Sequence, residues 1–153
     1  MPPQTAHAVF ARILFATDGS PSAEGAFSYA RDLAVRDHAH LIVVYAFPSV
    51  PAYLGEPWRE RFREANVAEG QRVTSLAVEG SREAGLDISI EIVEGQAADV
   101  ILRVAEEQHC DLIVMGSRGH RQLTDRLLGS VSQRVVAHAS VPVLIVKATP
   151  EGR

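Results

Sequence analysis

A chain of 153 residues, 46% hydrophobic and 22% charged, suits one globular domain with a full core. Its formal net charge of −4 gives no reason to expect a nucleic-acid partner, and a single cysteine, Cys110, excludes an internal disulfide and a cysteine-based metal cluster. No apolar run approaches the roughly 20 residues of a membrane span, and the stretch from Met1 to His7 lacks the basic and apolar regions of a signal peptide, so no membrane partner and a cytoplasmic location are expected.

Residues 1–11 and 148–153 read as tails around one domain over 12–147. Arg12 to Ala16 is a short apolar strand, broken by Thr17-Asp18-Gly19-Ser20-Pro21. Ser20 fits an N-cap and Pro21 the first helical position, and Ala23, Ala26, Phe27, Ala30, Leu33 and Ala34 then recur at helical steps until Asp37-His38. Leu41 to Phe47 reads as a strand buried on both faces. Residues 48–57 form a loop containing Pro48, Pro51 and Pro57. A long helix from Trp58 to Ala84 is expected to pack Phe62, Ala65, Val73, Leu76, Ala77 and Ala84 on one face and to stop at Gly85. Trp58 is expected to pack against its helix; a lid formed by Tyr53 and Trp58 is the other reading.

Ile88 to Glu94 alternates as a strand with one wetter face. Gly95 breaks it, and a helix from Ala97 to Gln108 buries Ile101, Val104 and Ala105. Cys110 precedes the next strand, Asp111 to Gly116, as a small buried residue. A polar loop spans 117–128. Val131, Val135, Val136 and Ala139 mark the last helix, Pro142 stops it, and Val143 to Val146 is the closing strand. Apolar strands alternating with amphipathic helices predict an α/β fold: one open parallel five-stranded sheet, order 3-2-1-4-5, with helices on both faces. Ligand is then expected at the strand C-termini near the switch point.

Two loops meet there. Ala16-Thr17-Asp18 follows the first strand, and Met115-Gly116-Ser117-Arg118-Gly119 leads from the fourth towards Gly129-Ser130-Val131-Ser132 at the next helix. A strand running through glycines into a helix N-terminus is an anion cradle, because free N–H groups and the helix dipole point at the ligand. Ser130 reads as both helix cap and phosphate donor. Arg118 and Arg121 are either charge-assisted phosphate contacts or solvated loop charges. Asp18 either hydrogen-bonds a ribose hydroxyl or base edge, or caps the first helix. The only lysine is Lys147, in or beside the last strand, so a P-loop is excluded, and G-x-G-x-x-G is absent after the first strand. The histidines form no cluster, and neither a metal site nor a Ser-His-Asp arrangement has spacing support.

Gly116-x-x-Gly119, nine residues, then Gly129-Ser130 resembles the G-x-x-G-x9-G-[ST] motif of the universal stress protein family. Ile13 to Ser20 resembles its opening strand and aspartate, Asp111 to Gly119 its fourth strand, and Pro142 to Val146 its closing strand. The resemblance implies ATP as ligand in the subgroup carrying this motif, with Mg²⁺ compatible with the phosphates. It implies that Asp18 and the Ala46 backbone face the adenine. Met115, Gly116, Gly119, Gly129, Ser130 and Val131 would surround the ribose and phosphates. It also implies a homodimer through strand 143–146. An ATP-binding stress-response regulator, acting through nucleotide-dependent conformation or partner binding, is the leading expectation. A slow ATP hydrolase or nucleotidyl-transfer enzyme, with Asp18 placing Mg²⁺, is the second. A dimeric interaction module without nucleotide is the third.

Overall fold

The computed structural model describes residues 9–118 and 128–147. The elements are β1 (Arg12–Ala16), α1 (Pro21–Asp37), β2 (His40–Phe47), α2 (Trp58–Glu83), β3 (Ile88–Glu94), α3 (Ala97–Glu107), β4 (Leu112–Gly116), α4 (Ser130–His138) and β5 (Val143–Val146). The sheet is parallel, in the order β3-β2-β1-β4-β5, as expected.

The central strands are apolar over residues 13–16, 41–44 and 112–115 because helices cover both their faces. Ile13, Leu14, Leu41, Ile42 and Ile113 are fully buried. Each such side chain contributes about 1.5–3 kcal/mol of burial free energy. Leu14, Ile42 and Ile113 pack with Val104 of α3 and Val135 of α4, whereas Ile13, Phe15 and Leu41 pack with Ala26 and Ala30 of α1 and Ala77 of α2.

Helix α1 starts where Ser20 Oγ accepts the Ala23 N–H at 3.3 Å, with Pro21 in the first turn. Its alanines lie flat on the sheet: Ala26, Ala30 and Ala34 have no exposed surface. At its C-terminus the buried Asp37 carboxylate accepts the Val9 and Phe10 N–H groups at 3.0 and 2.9 Å, fastening the segment before β1.

Helix α2 keeps part of the expected face, with Val73 and Ala77 buried, and departs from it elsewhere. Its buried residues are Gly70, Val73, Thr74, Ala77 and Ser81; Ala65 and Ala84 are exposed and Leu76 is 59% exposed. The reason is the closeness of α2 to β2 and β3. A Cβ on Gly70 would lie 2.7 Å from Tyr45 and 2.9 Å from Ile92, so only a face of small residues fits. Thr74 tolerates burial by donating to Gly70 O at 2.8 Å. The helix ends at Gly85 as expected, with φ +70 and Leu86 N–H returning to Ser81 O at 2.9 Å. Trp58 does not pack into the core: it is 58% exposed, under the Arg61 guanidinium at 5.0 Å. In α4, Val135 is buried but Val136 is 48% exposed, so the second valine lies outside the packed stripe.

The strands part at the centre of the sheet. The β1–β4 register ends at Phe15↔Val114. On the outer sides pairing runs further: Thr17 N–H donates to Val44 O at 3.0 Å, and Ser117 N–H to Val146 O at 2.9 Å. The loops leaving β1 and β4 are therefore drawn to opposite sides, and a crevice opens between them.

Candidate functional site

The crevice holds a cavity of about 290 Å³. Its floor comes from strand ends, with Ala16, Val44, Ala46 and Met115. Small side chains here leave depth beside an apolar surface, suited to a planar heterocycle. Thr17 and Asp18 form one wall; Gly116, Arg118, Gly129, Ser130, Val131 and Ser132 form the other. Residues 100 apart in the chain thus share one cavity because β1 and β4 are neighbours. Ser117 stands behind the wall, buried. Gly119, and Arg121 with it, lies outside the described residues.

The loop after β1 is held by its own side chains. Thr17 Oγ1 accepts the Gly19 N–H at 3.1 Å, and Asp18 Oδ1 accepts the Ser20 N–H at 2.9 Å. Gly19 has φ +80, a conformation that suits glycine. Ser20, not Asp18, is the α1 cap. Asp18 thus keeps its place on the cavity wall through a short-range turn.

The opposite wall is tied together at Ser117. Its carbonyl accepts the Gly129 N–H at 2.7 Å and the Ser132 hydroxyl at 2.9 Å. The same hydroxyl lies 3.1 Å from Gly129 O, so its one proton is shared between the two carbonyls. Its hydroxyl therefore braces the two segments, and the Gly129 N–H is already engaged. Gly129 is the N-cap of α4 and Ser130 the first helical residue, so Ser130 is not the cap. No side chain among the described residues caps this helix. The first-turn N–H groups of Ser130, Val131 and Ser132 have no intrahelical partner by the rule of helix termini, and they border the cavity.

The two described glycines of the motif serve different ends. A Cβ on Gly116 would come within 2.8 and 2.9 Å of the Ser22 carbonyl carbon and the Ala23 nitrogen. Gly116 is thus required by the packing of α1 on β4. Gly129 has φ −62, and its Cβ would meet nothing closer than 3.5 Å. Neither backbone conformation nor internal packing demands glycine there.

Sequence reasoning missed Ala23, Val44, Ala97 and Ile101, which also line the cavity. Ala97 and Ile101 share one face of the first turns of α3, a helix that crosses over β2. The switch-point rule directs attention to β1 and β4 alone. Groups of three or more potential metal-binding side chains are absent among the described residues. Cys110 is buried as expected, and burial pushes its thiol up to about 11. Lys147 follows β5 and is exposed. No described helix is long and apolar enough to cross a membrane.

The sequence profile of the universal stress protein family matches residues 10–147. A universal stress protein from Thermus aquaticus is 42% identical over 142 residues, covering 91% of this chain and all of the relative. Among solved structures, hypothetical protein MJ0577 superposes with a TM-score of 0.84 at 26% identity, covering 92% of this chain and 98% of that one. A universal stress protein in complex with cAMP superposes with a TM-score of 0.68 at 28% identity, over the same shares of the two chains.

Proposed function

The chain belongs to the universal stress protein family, and we propose that its central crevice binds ATP and that nucleotide occupancy regulates conformation or partner binding. The observation that carries this reading is one cavity joining an apolar strand-end floor, the Asp18 loop and the N-terminus of α4, which no side chain among the described residues caps. A nucleotide offers matching parts: a planar base, ribose hydroxyls and phosphates. The base would lie over Ala16, Val44 and Ala46, with Asp18 at the nucleoside. The phosphates would take the N–H groups of Ser130, Val131 and Ser132, with Arg118 alongside. The related structure in complex with cAMP supports an adenine nucleotide as the ligand class. Gly119 belongs to the proposed cradle by the motif.

Asp18 is the only carboxylate among the described cavity-lining residues. Asp18 sits at the nucleoside in this reading, so Mg²⁺ would be held by the phosphates themselves, where it would supply charge neutralisation. A single carboxylate, already accepting the Ser20 N–H, favours binding over activation of water. We further propose a cytoplasmic homodimer, joined along β5.

Acid precipitation of purified protein followed by chromatography of the released small molecules tests the ligand. Adenine nucleotide is expected, with a rise in thermal midpoint when ATP is added. A ligand at a hundredfold excess over its Kd stabilises the folded state by about 2.7 kcal/mol. No nucleotide and no shift with excess ATP would leave the dimeric interaction module as the reading.

A further inference from the structure

His40, the first residue of β2, stands at the opposite end of the strands from the crevice, beside Asp87, which precedes β3, and Ser89, its second residue. Its Nε2 is 2.9 Å from Ser89 Oγ, and its Nδ1 is 2.9 Å from an Asp87 carboxylate oxygen. Sequence spacing does not disclose this Ser-His-Asp grouping, because only the β2–β3 register, with Ile42 beside Ser89, assembles it. The Asp87 carboxylate is close to Nδ1 yet off the line of its N–H, so Nδ1 has an electrostatic neighbour and no aligned hydrogen bond. An adjacent anion favours the tautomer with its proton on Nδ1, leaving Nε2 to accept from the Ser89 hydroxyl. The His40 side chain is 19% exposed, which limits its rotation, while Asp87 is 85% exposed and the group opens to solvent.

We propose that Ser89 is a nucleophile activated by His40, with Asp87 as the neighbouring anion that favours the reactive tautomer, and that it takes the acyl group of activated carboxylic esters reaching it from solvent. Ser89 Oγ attacks the ester carbonyl carbon while its proton passes to His40 Nε2. The carbon–oxygen bond to the leaving group breaks, and that oxygen takes the proton from Nε2. Water, deprotonated by the same nitrogen, then attacks the acyl-serine, releasing the carboxylic acid and restoring the hydroxyl. Strand β3 is the sheet edge. Leu41 N–H donates to Asp87 O, and this parallel register turns the Ser89 N–H towards β2 and the Ile90 N–H outward. The Ile90 N–H is then a backbone donor on the edge next to Ser89, placed for a developing oxyanion.

The full chain is treated with 4-nitrophenyl acetate and, separately, with a fluorophosphonate, and adducts are mapped by peptide mass. Acetyl and phosphonyl groups are expected on Ser89. Release of 4-nitrophenolate should fall roughly a hundredfold in Ser89→Ala and His40→Gln. Asp87→Ala should slow labelling and Asp87→Glu restore it, whereas Glu83→Ala, which removes an exposed charge outside the group, should leave it unchanged. These Asp87 variants alter an exposed side chain, so they read the site even where His40→Gln misfolds. Unmodified Ser89, or labelling unchanged in His40→Gln and Asp87→Ala, overturns the proposal.

Discussion

Gly116 and Ser22 touch so closely that no side chain fits between β4 and the first turn of α1. The backbone atoms a Cβ would meet, 2.8 and 2.9 Å away, cannot move aside as a flexible side chain would. Gly116→Val should therefore destabilise the fold by about 3 kcal/mol or more, at the upper end of overpacking effects. Urea denaturation should show a lowered midpoint. Loss of nucleotide binding in this variant would report on α1 and not on the phosphates.

Gly129→Ala separates the two effects. Its φ of −62 suits alanine, and its nearest contacts, at 3.5 Å, are ordinary. Stability without nucleotide should stay within about 0.5 kcal/mol of the parent, because alanine restricts the unfolded chain while weakening the N-cap. The proposed phosphate position adjoins this residue, so ATP affinity should fall about tenfold, or 1.4 kcal/mol. Calorimetric titration of both proteins checks this, and equal affinities would displace the phosphates from Gly129.

Asp37 links the chain before β1 to the end of α1, and its environment makes it acid-sensitive. The Arg36 guanidinium hydrogen-bonds its carboxylate, and the Phe10 and Val9 N–H groups add to this, lowering its pKa from 3.8 to about 2. A depressed carboxylate pKa stabilises the folded state above the ordinary value, and the contribution disappears as pH falls through the folded one. The stabilisation should thus be whole above about pH 4 and lost as the pH falls to about 2. Asp37→Asn should lower the thermal midpoint at pH 7 and flatten its decline between pH 4 and 2. A midpoint at pH 7 matching the parent would show that the clamp carries no stability.

The parts of the fold legible in the sequence were those where one physical signal dominated. β1, β2 and β4 read clearly because burial on both faces leaves no polar residue in Ile13-Leu14-Phe15 or Leu41-Ile42-Val43-Val44. The Ser20-Pro21 start and the Gly85 stop read clearly because their chemistry is local. The phase of α2 was legible only in part, at Val73 and Ala77. Periodicity gives weight to Leu76, whereas the closest approach is made at Gly70, which carries no hydrophobic signal. Within the crevice, the loops after β1 and β4 were legible as strand-end turns. Ala97 and Ile101 were hidden because they look like ordinary core residues of an amphipathic helix. The grouping of Ser89 and His40 depends on strand register, which pattern alone does not convey.

Cys110 should be inert in the folded protein. Burial pushes its thiol to about 11, so little thiolate exists at pH 8, and the side chain is 4% exposed. A disulfide reagent at pH 8 should titrate almost no thiol under native conditions and one per chain in denaturant. Rapid native labelling would mean that the segment between α3 and β4 opens readily.

The β5 edge offers the sharpest test of assembly. Ile113 N–H donates to Pro142 O at 3.0 Å, and Ser117 N–H to Val146 O at 2.9 Å. With Ile113 paired to Val143, this parallel ladder directs the Leu144 and Val146 N–H groups towards β4 and those of Val143 and Ile145 outward. A second copy can satisfy the outward groups, as an open edge invites. Ile145→Pro removes one outward N–H without removing a donor to β4, and proline is tolerated at sheet edges. The lost side chain is partly buried against the α3–α4 face, so Ile145→Val serves as the packing control. Light scattering after size exclusion should give a dimeric mass for the parent and for Ile145→Val, and a monomeric mass for Ile145→Pro. Far-UV circular dichroism should stay alike in all three. A dimer that survives in Ile145→Pro would place the contact away from the strand edge.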